Sequence, residues 1–317
     1  MHRTNKLNSL SLLSASCLLL TLSSVKAEFQ DWTREKDSAT ISAEIIKYDT
    51  ETGKLTLKLK NDKEVVIEKS VLIAEHQNRL EEYAKEMAKH AEEMAKKREA
   101  AKNGRMETFT PEGGGGHKIH IYYPAGYIKG DESNKKRPAA YVYSPGGHSK
   151  SLVNMMKPGA DELGWVLIGV DCYRNKKDSE TIKKENLAAQ AEAKKQVSYD
   201  TTRVVFGGFS GGGSWAFISS SFLNTEAAGI LSFGGWMGNH YDLKYSKKMA
   251  VAMINGDSDK NAQHYEEPDG DFLRKKTRAK IKVFHFQGGH KLPEPKTATE
   301  AMRWVHETKE FPEKSSY

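Results

Sequence analysis

The chain has 317 residues, a formal net charge of +7 and a hydrophobic fraction of 38%. This length supports one large domain, or one large and one small domain, with a buried core. Its lysines are scattered or lie beside glutamates on predicted helices, which is typical of a solvated surface and argues against a nucleic-acid-binding protein.

Residues 1–27 are predicted to be a secretory signal peptide. Two basic residues precede an apolar, serine-rich run at 10–22, which is too short to span a bilayer, and residues 25–27 form an Ala-x-Ala-like cleavage site. Removing the segment takes away three basic residues and lowers the net charge from +7 to +4. We therefore predict a secreted or periplasmic protein.

The two cysteines argue against a lipid anchor and against a disulfide. Cys17 lies inside the apolar run, and Ser14 stands where a lipoprotein signal would carry leucine. Cys172 is the one cysteine left after cleavage, so no intrachain disulfide can form. The predicted mature protein has no stable membrane anchor and depends on its hydrophobic core for stability.

Residues 28–75 are predicted to form a small all-β unit. Nearly alternating apolar patterns indicate short strands at 40–46, 54–59 and 64–68. The Trp-Thr start, the central Ala43, the leucine-rich strand and the ending at 70–77 resemble the Src-homology-three-like β-barrel of the endocytic-adaptor homology type. Some members of that family bind short peptides, so the resemblance implies a peptide or protein ligand. A spacer or stabilising module is the alternative interpretation.

Residues 76–116 are predicted to connect this unit to the rest of the chain. Apolar residues recur at three- and four-residue steps from Leu80 to Ala95, and glutamates and lysines fill the other face, which indicates a long amphipathic helix. The favoured interpretations are docking on the larger domain or a spacer, because the heptads are too few for a coiled coil. The glycine run at 113–116 indicates a flexible linker.

Residues 117–317 are predicted to form a doubly wound α/β domain with a mostly parallel sheet. Apolar strands are predicted at 118–123, 139–143, 165–170, 229–233, 249–254 and 281–286, and another begins the segment 203–213. Helices are predicted at 152–163, 181–197, 262–276 and 297–309, and another follows residue 213. Continuous apolar strands between amphipathic helices specify a sheet that is covered on both faces.

The segment 203–213 carries the most informative motif. An apolar strand leads into Gly-Phe-Ser-Gly-Gly at 208–212, which matches Gly-x-Ser-x-Gly, and apolar residues recur at roughly helical spacing after it. Strand, glycine turn and helix are the context in which this motif marks a nucleophile elbow. Side chains at 208 and 212 are expected to clash with neighbouring backbone. A glycine-rich turn that matches by chance is the alternative.

Three strand ends carry candidate catalytic residues in the order Ser210, Asp259, His290. Chemistry gathers at the carboxyl ends of the strands in such sheets, and this order is that of α/β-hydrolases. Together with Ser-Pro-Gly-Gly-His at 144–148 and Asp-x-x-Arg at 200–203, these motifs resemble the α/β-hydrolase family of the esterase and dienelactone-hydrolase-like kind.

The resemblance implies a Ser-His-Asp triad. Ser210 would be the nucleophile, His290 the base that takes its proton, and Asp259 the acid that orients the imidazole. Asp257 is the competing acid, but relatives place the acid three residues after a glycine, which here is Gly256. The alternatives for the base are His120, His148, His240 and His285.

The oxyanion of the reaction needs preorganised N–H donors. Gly211 follows the nucleophile and is predicted to supply one of them. Gly147 is predicted to supply the other, with His148 as the fallback, although Pro145 stands where many relatives carry histidine. Trp236 and His148 are predicted to line the substrate cleft, with core packing as the alternative for Trp236.

The sequence therefore predicts an exported serine hydrolase of carboxylic esters that uses no metal or organic cofactor, since no ligand cluster or phosphate-binding glycine loop is recognisable. The segment 234–248 is too short for a cap domain, so the site is predicted to be open. An open site suits short acyl or aromatic esters on bulky or polysaccharide substrates. The alternatives are a serine peptidase of prolyl-oligopeptidase-like type and a catalytically idle envelope binding or scaffold protein.

Overall fold

A computed structural model describes residues 28–223 and 226–317, so the predicted signal peptide lies outside the described residues. The chain separates into two units, 1–96 and 97–317. Within the described ranges, no helix is both long enough and apolar enough to cross a membrane.

The first unit is a four-stranded antiparallel sheet followed by a helix. Its elements are β1 (Gln30–Thr33), β2 (Thr40–Tyr48), β3 (Lys54–Leu59), β4 (Glu64–Glu68) and α1 (Ala74–Ala100). The strands pair in the order β1-β2-β3-β4. The three predicted strands are confirmed and β1 is added to them. The structure shows an antiparallel sheet, and its closure into a barrel stays a prediction.

Trp32 is the centre of this unit's core. Its indole N–H donates to the carbonyl oxygen of Ala43 at 3.1 Å, and its ring packs edge-on against His76. The imidazole Nδ1 of His76 accepts from the backbone N–H of Thr33 at 2.9 Å. Four buried leucines complete the cluster: Leu55, Leu57, Leu72 and Leu80. Alternate residues of β3 therefore face the core, as the alternating pattern predicts.

The second unit is built on an eight-stranded sheet. Its strands are β5 (Arg105–Phe109), β6 (Ile119–Tyr123), β7 (Ala139–Tyr143), β8 (Val166–Val170), β9 (Val204–Phe209), β10 (Ala227–Phe233), β11 (Ala250–Gly256) and β12 (Lys280–Phe286). They pair in the order β12-β11-β10-β9-β7-β8-β6-β5, and all neighbours from β12 to β8 are parallel. The sheet is therefore mostly parallel, as predicted.

Helices cover both faces of this sheet. They are α2 (Ser149–Leu163), α3 (Ser179–Gln196), α4 (Gly211–Phe222), α5 (Lys260–Thr277) and α6 (Pro295–Thr308). Alternate residues of β7 belong to two different apolar clusters, with Tyr141 on the side of α3, α4 and α5, and Val142 on the side of α2 and α6. Successive strand residues point to opposite faces, so the sheet has a core on each side.

The predicted linker contains a strand that sequence reasoning missed. Residues Arg105–Phe109 form β5, which pairs antiparallel with β6 at the edge of the large sheet. The sheet therefore begins at residue 105 and not at 117 as predicted. Its sequence, Arg-Met-Glu-Thr-Phe, is short and half polar, because an edge strand has one neighbour and is only partly buried.

A buried histidine on α6 forms a hydrogen bond with the tryptophan that precedes β8. The indole N–H of Trp165 donates to Nδ1 of His306 at 2.9 Å, and Phe311 packs against both rings. An accepting Nδ1 in a buried ring favours the neutral imidazole. Burial accordingly lowers the pKa of His306.

We predict that His306 makes the protein sensitive to acid. Its folded pKa lies below the unfolded value of about 6.5, so its contribution is fully present above pH 6.5 and is lost as the pH falls below that value. The free energy of unfolding, measured in urea at pH 7.5 and pH 5.5, should fall less in His306→Gln than in the wild type. The exposed His264 provides the matched control, His264→Gln. An equal fall in wild type and His306→Gln would contradict the prediction.

Candidate active site

The Gly-x-Ser-x-Gly segment forms the turn between β9 and α4. Ser210 has φ of 55° and ψ of −125°, a backbone conformation that is costly for a residue with a side chain. Its N–H donates to the carbonyl oxygen of Phe233 on β10 at 2.9 Å, and its own carbonyl oxygen accepts from Gly213 at 2.8 Å. Bonds to the strand and to the helix thus hold the serine in its strained conformation.

The glycines on either side of Ser210 are required by close packing. A Cβ atom added at Gly208 would overlap the carbonyl oxygen of Gly212. One added at Gly212 would overlap the carbonyl oxygen of Tyr143, at the end of β7. The predicted clash with neighbouring backbone is therefore confirmed, and α4 can begin directly against the ends of β7 and β9.

The structure brings Ser210, His290 and Asp259 into one hydrogen-bonded chain. Nε2 of His290 lies 2.8 Å from Oγ of Ser210, and Nδ1 lies 2.6 Å from Oδ2 of Asp259. The Asp259 side chain is 3% exposed, whereas that of His290 is 42% exposed and packs on Phe209. The arrangement has a buried acid, a partly accessible base and a serine at the tip of a turn, which is the geometry of an activated nucleophile.

The competing acid has a different task. Asp257 accepts from the backbone N–H of Gly288 through Oδ1 at 2.9 Å, which fixes the start of the loop that carries His290. Asp259 caps α5 instead, with Oδ1 accepting from Ala262 at 3.2 Å while Oδ2 faces His290. The preference for Asp259 over Asp257 therefore agrees with the geometry.

The alternative histidines have other partners. His120 lies between Thr108 and Asp171, and His285 pairs with Glu266 at 2.9 Å. His148 is exposed and precedes α2. His240 lies beyond β10, where its carbonyl oxygen accepts from Tyr245. Only His290 among these candidates forms a hydrogen bond with Ser210 in the described part of the chain.

One predicted oxyanion donor, the N–H of Gly147, lies within a hydrogen-bonded turn. The N–H of Gly147 donates to the carbonyl oxygen of Ser144 at 3.1 Å and closes a turn, so it is committed within its own loop. The left-handed φ of 71° at Gly147 belongs to that turn. The N–H of Gly211 begins α4 and has no acceptor within the helix. The backbone N–H of His148, the predicted fallback, has no acceptor among the described residues.

Trp236 follows by two residues Gly234, which lies beside the acid and the base. A Cβ atom at Gly234 would lie 3.3 Å from Oδ2 of Asp259 and 3.4 Å from the ring of His290. Trp236 is half-buried and stacks on Tyr265 of α5, with ring centroids 5.2 Å apart and planes 11° apart. Both rings are partly exposed, and packing on Tyr265 accounts for part of the burial of Trp236.

A buried carboxyl anchors the segment beyond Trp236. Asp269 accepts from the backbone N–H of Met237 at 2.7 Å and from the phenol of Tyr241 at 2.6 Å. Burial raises the pKa of Asp269, and these two hydrogen bonds oppose the rise. The role of Asp269 was not predicted, because its sequence context is an ordinary polar stretch of helix.

Tyr173 and Asn175 also lie against the elbow and were missed by sequence reasoning. A Cβ atom at Gly211 would overlap Oδ1 of Asn175 and lie 2.8 Å from the phenol oxygen of Tyr173. Both residues follow β8, a strand to which the sequence assigned no chemistry. The one available signal was that the end of β8 should lie beside the end of β7 in a parallel sheet.

Comparisons with known proteins agree with this architecture. A family model described as phospholipase/carboxylesterase matches residues 132–264, a segment that contains Ser210 and Asp259. An α/β hydrolase from a Medee basin deep-sea metagenome library superposes with a TM-score of 0.50 at 11% identity, over 66% of this chain and 99% of that one. The chain has an α/β-hydrolase fold.

Other solved structures are similar at lower scores. A thermophilic carboxylesterase cloned from a metagenomic library has a TM-score of 0.47 at 14% identity, over 71% of this chain and 97% of its own. A Bacillus cereus carboxylesterase has a TM-score of 0.44 at 16% identity, over 55% of this chain and 90% of its own. The comparison with curated proteins finds no matching sequence. The family match supports a carboxylic-ester hydrolase.

We predict that Gly212→Ala destabilises the second unit. The added methyl group would overlap the carbonyl oxygen of Tyr143, and overpacking of this kind costs about 1–3 kcal/mol. Thermal unfolding followed by circular dichroism measures the loss. Gly289→Ala is the matched control, because an added Cβ there meets nothing within 4 Å. Equal melting temperatures for the two variants would contradict the close approach of α4 to β7.

Proposed function

We propose that this protein is an exported serine hydrolase that cleaves carboxylic esters with Ser210, His290 and Asp259. The observation that carries the proposal is the continuous hydrogen-bonded chain of the three side chains, at 2.8 Å and 2.6 Å. A serine hydroxyl needs a base at hydrogen-bond distance, and the base needs an acid that stabilises its cation. The family match to phospholipases and carboxylesterases supports the same reaction.

The proposed reaction has two halves. Oγ of Ser210 attacks the ester carbon while Nε2 of His290 takes the serine proton, and the carbonyl π electrons move onto oxygen. The carbon–oxygen bond to the alcohol then breaks, and His290 returns the proton to the departing alcohol. Water, deprotonated by His290, attacks the acyl-enzyme, which releases the acid and restores Ser210. Asp259 stays ionised and holds the imidazole throughout.

The surroundings of the triad support short acyl or aromatic esters on bulky molecules. The segment between β10 and β11 contains no helix or strand that could act as a cap. The half-exposed rings of Trp236 and Tyr265 offer an aromatic surface two residues beyond Gly234, which lies beside His290, and such a surface suits the face of an aromatic ester or of a sugar ring. The proposed signal peptide would place the enzyme where polysaccharide esters occur.

We predict that Ser210→Ala abolishes ester hydrolysis and leaves the fold intact. Alanine keeps the Cβ atom that the strained backbone already carries but has no hydroxyl to attack the ester. The measurements are turnover of 4-nitrophenyl acetate and butyrate, covalent labelling by a fluorophosphonate probe, and the melting curve. Activity and labelling that persist in the variant would refute the assignment.

A substrate panel separates this proposal from its alternatives. The wild type should hydrolyse short-chain aryl esters with far larger kcat/KM values than chromogenic peptides. Efficient peptide cleavage with negligible ester turnover would identify a peptidase. Failure to label the wild type, together with no turnover of either class, would identify an idle binding or scaffold protein.

We predict that Trp236→Ala selectively lowers activity on large substrates. Losing the indole removes the aromatic surface beside Tyr265, and an aromatic contact is worth about 0.5–1.5 kcal/mol, or roughly twofold to tenfold. The measurement is kcat/KM for feruloyl or acetylated oligosaccharide esters relative to 4-nitrophenyl acetate. Trp236→Phe is the control that keeps an aromatic ring. A proportional loss on all substrates would show a structural role instead.

A further inference from the structure

The loop after β8 places the side-chain amide of Asn175 over the nucleophile elbow. A Cβ atom at Gly211 would overlap the Asn175 side-chain oxygen, so the amide covers the Cα atom of the residue that follows Ser210. Gly211 directly follows Ser210, so its N–H is the first backbone donor after the attacking serine. The amide therefore lies against Gly211, the residue whose N–H is expected to face the negative charge that develops when Ser210 attacks an ester.

Tyr173 and the backbone hold this amide in place. The phenol of Tyr173 donates to Oδ1 of Asn175 at 3.1 Å, and burial raises the pKa of Tyr173, so the phenol stays protonated. The Tyr173 ring stacks on Trp215 of α4 at 5.4 Å. The backbone N–H of Asn175 donates to the carbonyl oxygen of Pro145 at 3.0 Å. The loop is thus fixed both to the elbow helix and to the loop after β7.

A strained residue and a partly buried ion pair also support this loop. Lys176 has φ of 68°, a conformation that residues other than glycine rarely adopt. Lys177 pairs with Glu185 on α3 and donates to the carbonyl oxygen of Cys172 at 3.3 Å. Strained backbone that persists inside such supports is a feature of binding and active sites.

The side-chain amide of Asn175 has N–H donors that its contacts with the protein do not use. An asparagine side chain carries two N–H donors, and within 28–223 and 226–317 neither has an acceptor, whereas the oxygen is engaged by Tyr173. The N–H of Gly147, which sequence reasoning assigned to the oxyanion, is already bonded to Ser144. Asn175 is exposed and its side chain is oriented by the bond from Tyr173, and a donor that is already positioned beside the elbow is what transition-state stabilisation requires.

We propose that the side-chain N–H of Asn175 is an oxyanion donor that acts with the backbone N–H of Gly211. The inference rests on the ester hydrolysis proposed above. As Oγ of Ser210 bonds to the ester carbon, the π electron pair moves onto the carbonyl oxygen, and Asn175 donates to that oxygen. The contact is stronger with the oxyanion than with the neutral carbonyl, so it raises kcat more than it lowers KM. Tyr173 is a positioning residue that orients the amide.

The test compares Asn175→Ala and Asn175→Asp with the wild type on 4-nitrophenyl butyrate. Removing one oxyanion donor lowers kcat by about 10²–10³-fold, and we expect this loss with KM changed less than threefold. Asn175→Asp keeps the shape of the side chain but loses its donors and adds a negative charge beside the oxyanion, so it should lose at least as much as Asn175→Ala. Inhibition by phenylboronic acid, whose serine adduct is a tetrahedral anion, should weaken in proportion to kcat. Asn261→Ala, an exposed asparagine on α5, is the matched control.

The outcomes separate this inference from the proposed function. A wild type without esterase activity defeats the proposed function itself. An active wild type whose Asn175 variants stay within threefold of its kcat defeats the inference alone. A loss of kcat in Asn175→Asp that comes with a lowered melting temperature, or without weaker boronate binding, shows a structural role and also overturns it. Tyr173→Phe should give a smaller loss of kcat in the same direction.

Discussion

The close approach of α4 to the ends of β7 and β9 is the contact on which the candidate site depends. It is possible because Gly208 and Gly212 have no side chains, and any Cβ atom there would overlap backbone carbonyl groups. The turn between strand and helix is therefore so tight that Ser210 must adopt a left-handed φ of 55°. The strain is offset by backbone hydrogen bonds to β10 and within α4. Rigidity in this turn is what gives Oγ a fixed position relative to His290.

The sheet order explains why several loops meet at that turn. The chain passes from β7 outward to β8 and then returns to β9 on the other side of β7, so the direction of winding reverses between β7 and β9. Parallel strands end on the same edge, and a crevice opens where the winding reverses. The loop after β7, the loop after β8 with Asn175, and the elbow after β9 consequently share one end of the sheet. The acid and the base arrive at the same edge from β11 and β12.

Local patterns were enough to predict much of this arrangement. Continuous apolar strands predicted β7 to β11 closely, since such strands are buried on both faces and leave a strong signal. The motif around Ser210 predicted the elbow because glycine at 208 and 212 has a steric cause. The half-polar β5 escaped prediction because an edge strand needs little apolar surface. Asn175 escaped because its proximity to Gly211 arises from strand order and from one loop's hydrogen bonds, which no short motif encodes.

The direction of the Gly147 N–H is another feature that the sequence does not determine. The residue types of the loop after β7 suit an oxyanion hole, but which N–H points outward depends on the turn that the loop adopts. Here the N–H of Gly147 donates to the carbonyl oxygen of Ser144 and closes the turn. A left-handed glycine in a turn is readily predicted, whereas the direction of each N–H follows from φ and ψ values on both sides of it.

The two aspartates that follow β11 show how one short motif can supply both a support and a site residue. Asp257 is exposed, and its carboxylate accepts a hydrogen bond from the N–H of Gly288, which fixes the loop that carries His290. Asp259 is buried and divides its two oxygens between the N-terminus of α5 and the imidazole of His290. The bond to Ala262 orients the carboxylate, and the positive end of the helix dipole favours its charge. The position three residues after the end of β11 therefore faces the base, because Asp259, unlike Asp257, lies at the start of α5.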